Sequence, residues 1–368
     1  MRVLKIAGRI LLAALLFAVT AAAAVLMFLF FSPTVGRVPD KNERDILSGR
    51  SERCSGGEFR NESTVPALTG EAPYSGERKV PETKLPALSP TFSEDMPEDG
   101  LSFTWLGHSS FLLQMGKVNV LVDPVLSERC SPVSFVGPSR FSELPLTAEE
   151  LPRIDVLFLS HDHYDHLDYR TVRAIGERVG TFVVPLGMGS ILTGWGIDKE
   201  KIRTLDHWES TEIAGVTFTL TPSQHFSGRN PLRRNRTLWG GVYLDNGSSS
   251  VYYTGDGGYS GVFSEVRERL GAPTLMISEC GQYDPAWAKM HMFPEETVKA
   301  GADAGAERLI PVHWGAFCIC NHAWDDPIRR VTAAAEAAGL PLSTPRIGRT
   351  VTLSELDSCT EHWWEDYN

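Results

Sequence analysis

Residues 158–166 read Phe158-Leu159-Ser160-His161-Asp162-His163-Tyr164-Asp165-His166. Neutral imidazole and carboxylate are the ordinary nitrogen and oxygen ligands of zinc. His161 and His163 alternate with Asp162, so both can point the same way from an extended backbone. Asp165 and His166 follow where the chain turns and can face a second point close by. Two metal ions sharing one pocket require such an arrangement. A solvated turn that happens to be His-rich is the plain alternative, and the setting of the segment argues against it.

The segment follows Ile154-Asp155-Val156-Leu157-Phe158-Leu159, an apolar run of strand length. It precedes Asp168, a helix N-cap residue, and a periodic stretch that predicts a helix over 169–179. In parallel α/β sheets, ligands bind outside the carboxyl ends of strands. Three more predicted strands end in a metal-type residue. Val216–Thr221 leads to His225, Val251–Thr254 to Asp256 with glycines for a tight turn, and Leu309–Val312 to His313. His108 and Asp123 also fall at strand ends. Their expected role is to hold a ligand or its loop in place.

Two more groups sit beside these ligands. The loop leaving His225 carries Arg229, Arg233, Arg234 and Arg236. Guanidinium pairs bidentately with phosphate, so an anionic substrate is expected there; a solvated basic loop is the alternative. His291 lies just before Phe293-Pro294-Glu295-Glu296, which opens a helix with proline and acids in its first turn. It is surplus to the metal count. It can contact substrate or protonate a leaving group.

The elements that carry these residues begin near Leu101. Strands are expected at 101–106, 111–115, 118–122, 201–205 and 349–353, and a last long helix from Asp326-Pro327 to Gly339. Residues 1–31 stand apart. Arg2, Lys5 and Arg9 precede an apolar run from Ile10 to Phe31, long enough for the roughly 20 residues that cross a bilayer. The run continues past Ala21–Ala24, where a signal peptide would be cut, so an uncleaved anchor is expected. Basic residues flank both ends, and a short basic N-terminus favours a catalytic domain outside the cytoplasm. Residues 32–100 read as a Pro/Gly-interrupted connector, free to drape over the domain, with Phe59 and Phe92 as docking points. The catalytic domain is expected at 101–354 and a docked or frayed tail at 355–368. With 42% hydrophobic residues the chain can build a large core, and a net charge of −11 argues against a nucleic-acid partner. Cys54, Cys130, Cys280, Cys318, Cys320 and Cys359 are too scattered for a disulfide framework.

Together these residues resemble the metallo-β-lactamase superfamily. The resemblance implies an α/β fold, a four-layer αββα sandwich with a dinuclear site along one edge. His161, His163 and His225 would bind one Zn2+, Asp165, His166 and His313 the other, and Asp256 would bridge both. A Glu at 163 would have suggested a redox di-iron branch; His163 argues for hydrolytic zinc.

Further stretches narrow the branch. Trp105-Leu106-Gly107-His108-Ser109-Ser110, Thr221-Pro222-Ser223-Gln224-His225, Thr237-Leu238-Trp239-Gly240, His291-x-x-Pro294-Glu295-Glu296 and His313-Trp314-Gly315-x-Phe317 resemble the N-acyl-phosphatidylethanolamine-hydrolysing phospholipase D family. So does Ser131-Pro132-x-x-x-x-Gly137-Pro138-x-Arg140-Phe141. The likeness covers roughly residues 100–340. It implies a zinc phosphodiesterase acting on a membrane phospholipid, with Asp165, Asp256 and His291 as catalytic residues. Ser134-Phe135 departs from the family's headgroup-holding pair. The anchor is unlike that of the animal enzymes and resembles bacterial relatives, implying the inner membrane. The alternatives are a lactonase or other C–O/C–N hydrolase on the same fold, and a non-catalytic zinc-binding envelope protein.

Overall fold

The computed structural model describes residues 2–63, 65–76 and 78–367. Met1, at the start of the expected anchor, and Asn368, at the end of the tail, lie outside the described residues, as do Thr64 and Glu77 in the connector. The chain opens with α1 (Arg2–Phe31), α2 (Lys41–Arg50) and a hairpin of β1 (Cys54–Ser55) and β2 (Glu58–Phe59). Then follow β3 (Leu101–Gly107), β4 (Ser110–Met115), β5 (Val118–Val122), β6 (Ile154–Phe158), α3 (Tyr169–Ile175), β7 (Val179–Pro185), α4 (Met188–Gly194) and β8 (Ile202–Leu205). The second half holds β9 (Ser210–Ile213), β10 (Val216–Thr221), β11 (Gly241–Asp245), β12 (Ser250–Tyr253), α5 (Val262–Leu270), β13 (Leu275–Glu279), α6 (Pro294–Ala304), β14 (Leu309–Val312), α7 (Asp326–Ala338) and β15 (Thr350–Thr352).

Two sheets face each other. One is ordered β15-β3-β4-β5-β6-β7-β8, the other β14-β13-β12-β11-β10-β9. Strands β5 to β8 run parallel, as do β12 to β14. Strand periodicity sorts β6: Val156 and Phe158 enter the core with Phe218, Leu220 and Tyr252 of the second sheet. Leu157, between them, joins Leu121, Val172 and Ile191 beneath α3 and α4. Helices α5, α6 and α7 cover the other outer face through Val266, Ala300 and Ile328. This is the expected αββα sandwich. Fully burying a side chain such as Phe158 is worth roughly 1.5–3 kcal/mol.

Two expectations change. The helix after the His-rich turn starts where expected, with the Asp168 side chain accepting from Arg170 and Thr171 N–H, but ends at Ile175 with Gly176 as its cap. Strand β7 begins at Val179. The segment 32–100, expected without helix or strand, contains α2 and the β1–β2 hairpin. Asp40 and Glu43 form a reciprocal capping box that starts α2. Leu47, Phe59 and Leu85 are buried in the main core, and Phe92 packs on the outer one, so packing starts well before Leu101. The tail is docked, with Trp363 and Trp364 buried against Trp314.

Candidate metal centre

The expected ligands meet at one edge of the sandwich, where the parallel strands end. His161, His163, Asp165 and His166 lie on the loop between β6 and α3; His225 follows β10, Asp256 follows β12 and His313 follows β14. His161 Nε2 lies 2.9 Å from His163 Nδ1, which is 3.3 Å from His225 Nε2. In a second group, His166 Nε2 and His313 Nε2 lie 3.5 and 3.3 Å from Asp165 Oδ2. Asp256 Oδ2 stands between the two groups. It is 3.1 Å from His166 Nε2 and 3.3 Å from His313 Nε2, and 3.8 and 3.9 Å from His161 and His225 Nε2. Ligands held at zinc bond lengths in a tetrahedron are about 3.3–3.4 Å apart. The separations here, 2.9–3.9 Å, bracket that value, so the donors could hold a metal ion.

On His225, His161 and His166 the opposite ring nitrogen is occupied. His225 Nδ1 donates to Met290 O at 3.0 Å, which leaves Nε2 its lone pair. His161 Nδ1 is 2.9 Å from Ser160 Oγ, and His166 Nδ1 2.8 Å from Asp123 Oδ2. Asp123, fully buried, also accepts from Ser160 N–H (2.7 Å), Ser160 O–H and Tyr253 O–H (2.8 Å). Asn61 holds the His225 backbone on both sides, its amide oxygen accepting from N–H at 3.1 Å and its NH2 donating to the carbonyl at 2.8 Å. His108 Nε2 is 3.1 Å from Asp165 Oδ2, and its backbone exchanges hydrogen bonds with the His313–Trp314 turn. His108, Asp123 and His313 all have positive φ (54°, 41° and 67°). Such backbones persist only where the surroundings over-determine them, and they gather at functional sites.

A cation fits this donor set. Asp256 Oδ1 and His166 Nε2 are buried without a hydrogen-bond partner among the described residues. Without an ion the charge has to be carried by protons. Burial works against charging His313, but Asp256, Asp165 and Glu279 hold it up at about 10. His166 is likewise raised, burial being outweighed by Asp256 and Asp165. Asp256 is pushed well below the usual carboxylate range by His166 and His313 despite its burial. Burial keeps His161 and His225 neutral, aided by His166 and His291 respectively. Burial and His313 lower His108 to about 3. The metal-free cluster thus holds protons where an ion would sit.

Glu279, at the end of β13, is a residue that the sequence reading missed. It is fully buried; Oε2 lies 2.6 Å from His291 Nδ1 and 3.3 Å from His313 Nδ1, and Oε1 accepts from Gly257 N–H at 2.5 Å. One carboxylate therefore ties His291 to His313 and to the turn carrying Asp256. The signal was the same as for the other ligands, an apolar strand ending in an ionisable residue.

Above the cluster lies a cavity of about 440 Å³. His163, Asp165, Asp256, His291 and His313 line its floor, and Ala67, Leu68, Phe226, Trp287, Met290 and Ile319 its walls. Ala67 and Leu68 come from the segment before the sandwich, which drapes over the domain and supplies one wall.

The four arginines separate. Arg234 lines the cavity, 4.5 Å over the Phe226 ring. Arg229 does not: its buried guanidinium donates to the carbonyls of Thr34, Val35, Asp162 and Leu167. Arg236 pairs with Glu58 and the Gly57 carbonyl, and Arg233 lies over Phe30. Arg229, Arg233 and Arg236, expected at the substrate, thus lie outside the lining of that cavity. Adjacency in sequence put them together, but the loop turns Arg234 to the metal cavity and Arg233 and Arg236 to a separate cleft.

The beta-lactamase superfamily domain matches residues 118–314. The chain belongs to that superfamily. Its fold is that of the metal-dependent hydrolases of the metallo-β-lactamase group. A Mycobacterium tuberculosis protein described as uncharacterized is 39% identical over 275 residues, 74% of this chain and 73% of its own. The N-acyl-phosphatidylethanolamine-hydrolyzing phospholipase D 1 of Caenorhabditis elegans is 34% identical over 254 residues, 66% of this chain and 71% of its own. Igni18, a metallo hydrolase from Ignicoccus hospitalis, superposes with a TM-score of 0.53 at 20% identity, covering 69% of this chain and 98% of that one; this likeness concerns the fold.

Proposed function

We propose that this protein is a dinuclear zinc phosphodiesterase that hydrolyses a membrane phospholipid at its distal phosphoester bond, an N-acylated phosphatidylethanolamine or a close relative. The cavity carries the reading: an ionisable floor, apolar walls and one arginine at the side suit a substrate with a phosphodiester and acyl chains. Homology to a phospholipase D of stated substrate supports it. His161, His163 and His225 would hold one ion, Asp165, His166 and His313 the other, and Asp256 both. Two ions there would supply positive charge for the phosphoryl oxygens and an activated water.

The chain's own groups do the rest. Arg234 faces the cavity and attracts the anionic diester. Glu279 holds the His291 ring by Nδ1, and Nε2 makes no hydrogen bond among the described residues. His291 is thus placed to hold a proton for the departing oxygen. Asp165 and Asp256 balance the protons on His166 and His313 until ions load. Apolar walls shed water and take hydrocarbon.

We also read α1 as an uncleaved single-pass anchor, with the catalytic domain outside the cytoplasm. Lys5–Phe31 is long and apolar enough to cross a bilayer. Anchoring would confine the enzyme to the substrate's own phase. The test is product analysis by mass spectrometry, with the zinc-loaded full chain in vesicles containing N-acyl phosphatidylethanolamine. Phosphatidic acid and free N-acylethanolamine are expected. Hydrolysis of neutral lactones alone would replace this reading with the lactonase.

A further inference from the structure

The end of α1 is built into the domain beside the metal loop. Asn230 Nδ2 donates to Leu29 O at 2.8 Å, and the Arg233 guanidinium lies 4.2 Å over the Phe30 ring. Trp195 Nε1 donates to Pro33 O at 2.7 Å. Arg229 then spans the junction. On one side it donates to Thr34 O (2.7 Å) and Val35 O (3.1 Å), on the other to Asp162 O (2.9 Å) and Leu167 O (2.6 Å) of the loop that carries the histidines. Its own carbonyl accepts from Tyr164 O–H at 2.8 Å, and Tyr164 lines the metal cavity. A chain of direct contacts thus runs from the last turn of α1 to the cavity wall. Such a junction does not behave as a flexible tether.

The contacts also fix depth. Leu29 and Phe30 belong to the apolar run, so residues 230–233 lie level with its last turn. Leu232 there is 61% exposed. Beside it is a cleft of about 590 Å³ lined by Arg37, Asp40, Arg44, Leu232, Arg233 and Arg236. Arg37 pairs with Glu43 and Asp40, and Arg236 with Glu58. Arg44 and Arg233 make no ion pair with a carboxylate among the described residues. An exposed apolar tip between arginines, at the end of a spanning helix, matches the boundary between acyl chains and anionic headgroups.

We propose that the face formed by residues 230–236 and the 37–44 segment seats on the leaflet in which α1 ends. Leu232 enters the acyl boundary, and Arg44 and Arg233 take the phosphates of anionic lipids. The metal cavity is thereby held rigidly at the headgroup layer, positioned to take lipid from the membrane that anchors it. The proposal rests on the anchor reading but not on the reaction.

Fluorescence quenching tests it without turnover. The full-length variants Leu232→Trp and Glu336→Trp, the latter on the outer helix α7, are reconstituted in vesicles with brominated phosphatidylcholine and phosphatidylglycerol. The emission added by Leu232→Trp should be largely lost, most strongly with bromines high on the chain, and that added by Glu336→Trp retained. Adding Arg44→Gln and Arg233→Gln should reduce the loss in anionic vesicles to that in zwitterionic ones. Equal emission from both tryptophan variants, in protein that resists alkaline extraction, would overturn the proposal and leave the anchor standing. Extraction of the chain by alkali would remove both, whatever the diester turnover.

Discussion

Asp123→Asn removes one negative charge and keeps the shape. Asn tolerates a positive φ better than most residues, so the backbone at 41° is not disturbed. The carboxylate accepts from Ser160 N–H through Oδ1, and from Ser160 O–H, His166 Nδ1–H and Tyr253 O–H through Oδ2. An amide cannot accept on both sides. With its oxygen toward the Ser160 N–H, its NH2 faces His166 Nδ1. The hydroxyls can rotate away, but the imidazole has to move its proton to Nε2, the nitrogen that faces Asp165 and Asp256. One ion then loses a lone pair. Losing a group that orients a ligand histidine costs about 10–100-fold in metal affinity, or about 1.4–2.7 kcal/mol. The assay is a competition titration with a chromophoric chelator. One site should weaken by that factor, and the site built on His161, His163 and His225 should keep its affinity. Wild-type affinity at both sites would refute the tautomer argument.

Other outcomes follow from the same geometry. Glu279→Gln should lower kcat by about 10²-fold with little change in KM, because His291 loses the carboxylate that holds its ring; an unchanged kcat would remove His291 from proton transfer. Arg234→Gln should cut kcat/KM for an anionic diester by about fivefold, the scale of about 1 kcal/mol for an exposed pair, and leave a neutral ester unaffected. Without metal, His313 sits at about 10 against an ordinary 6.5. A raised value contributes stability in full below about 6.5 and loses it as pH climbs toward 10. Thermal melts of the metal-free chain should therefore fall across that window, and apparent metal affinity should rise, as ions displace the protons.

The ligand set was legible because each residue ends an apolar strand, and parallel strands bring their carboxyl ends to one edge. The same rule reached His108 and Asp123, and it should have reached Glu279 after Leu275–Ser278. The arginine loop was not legible: spacing along a loop does not say which face each side chain meets, and Arg229 was lost to four backbone carbonyls. The early segment was partly legible. Asp40-x-x-Glu43 is a helix start signal, but its prolines and glycines masked it, and the burial of Phe59 and Leu85 depends on surfaces far away in sequence. The tail with Trp363 and Trp364 could be read as docked or frayed, and the sequence did not show that both would pack on Trp314, next to His313.

One carboxylate oxygen of Asp256 lies within 4 Å of histidine nitrogens from both halves of the cluster, so Asp256 offers the most direct test. Metal content and turnover of a chromogenic phosphodiester are measured together on the full-length protein and on Asp256→Asn. The account predicts two zinc ions per wild-type chain with turnover, and loss of turnover in the folded variant together with weakened metal binding. Full turnover by Asp256→Asn, or wild-type turnover that survives complete removal of metal, would contradict it.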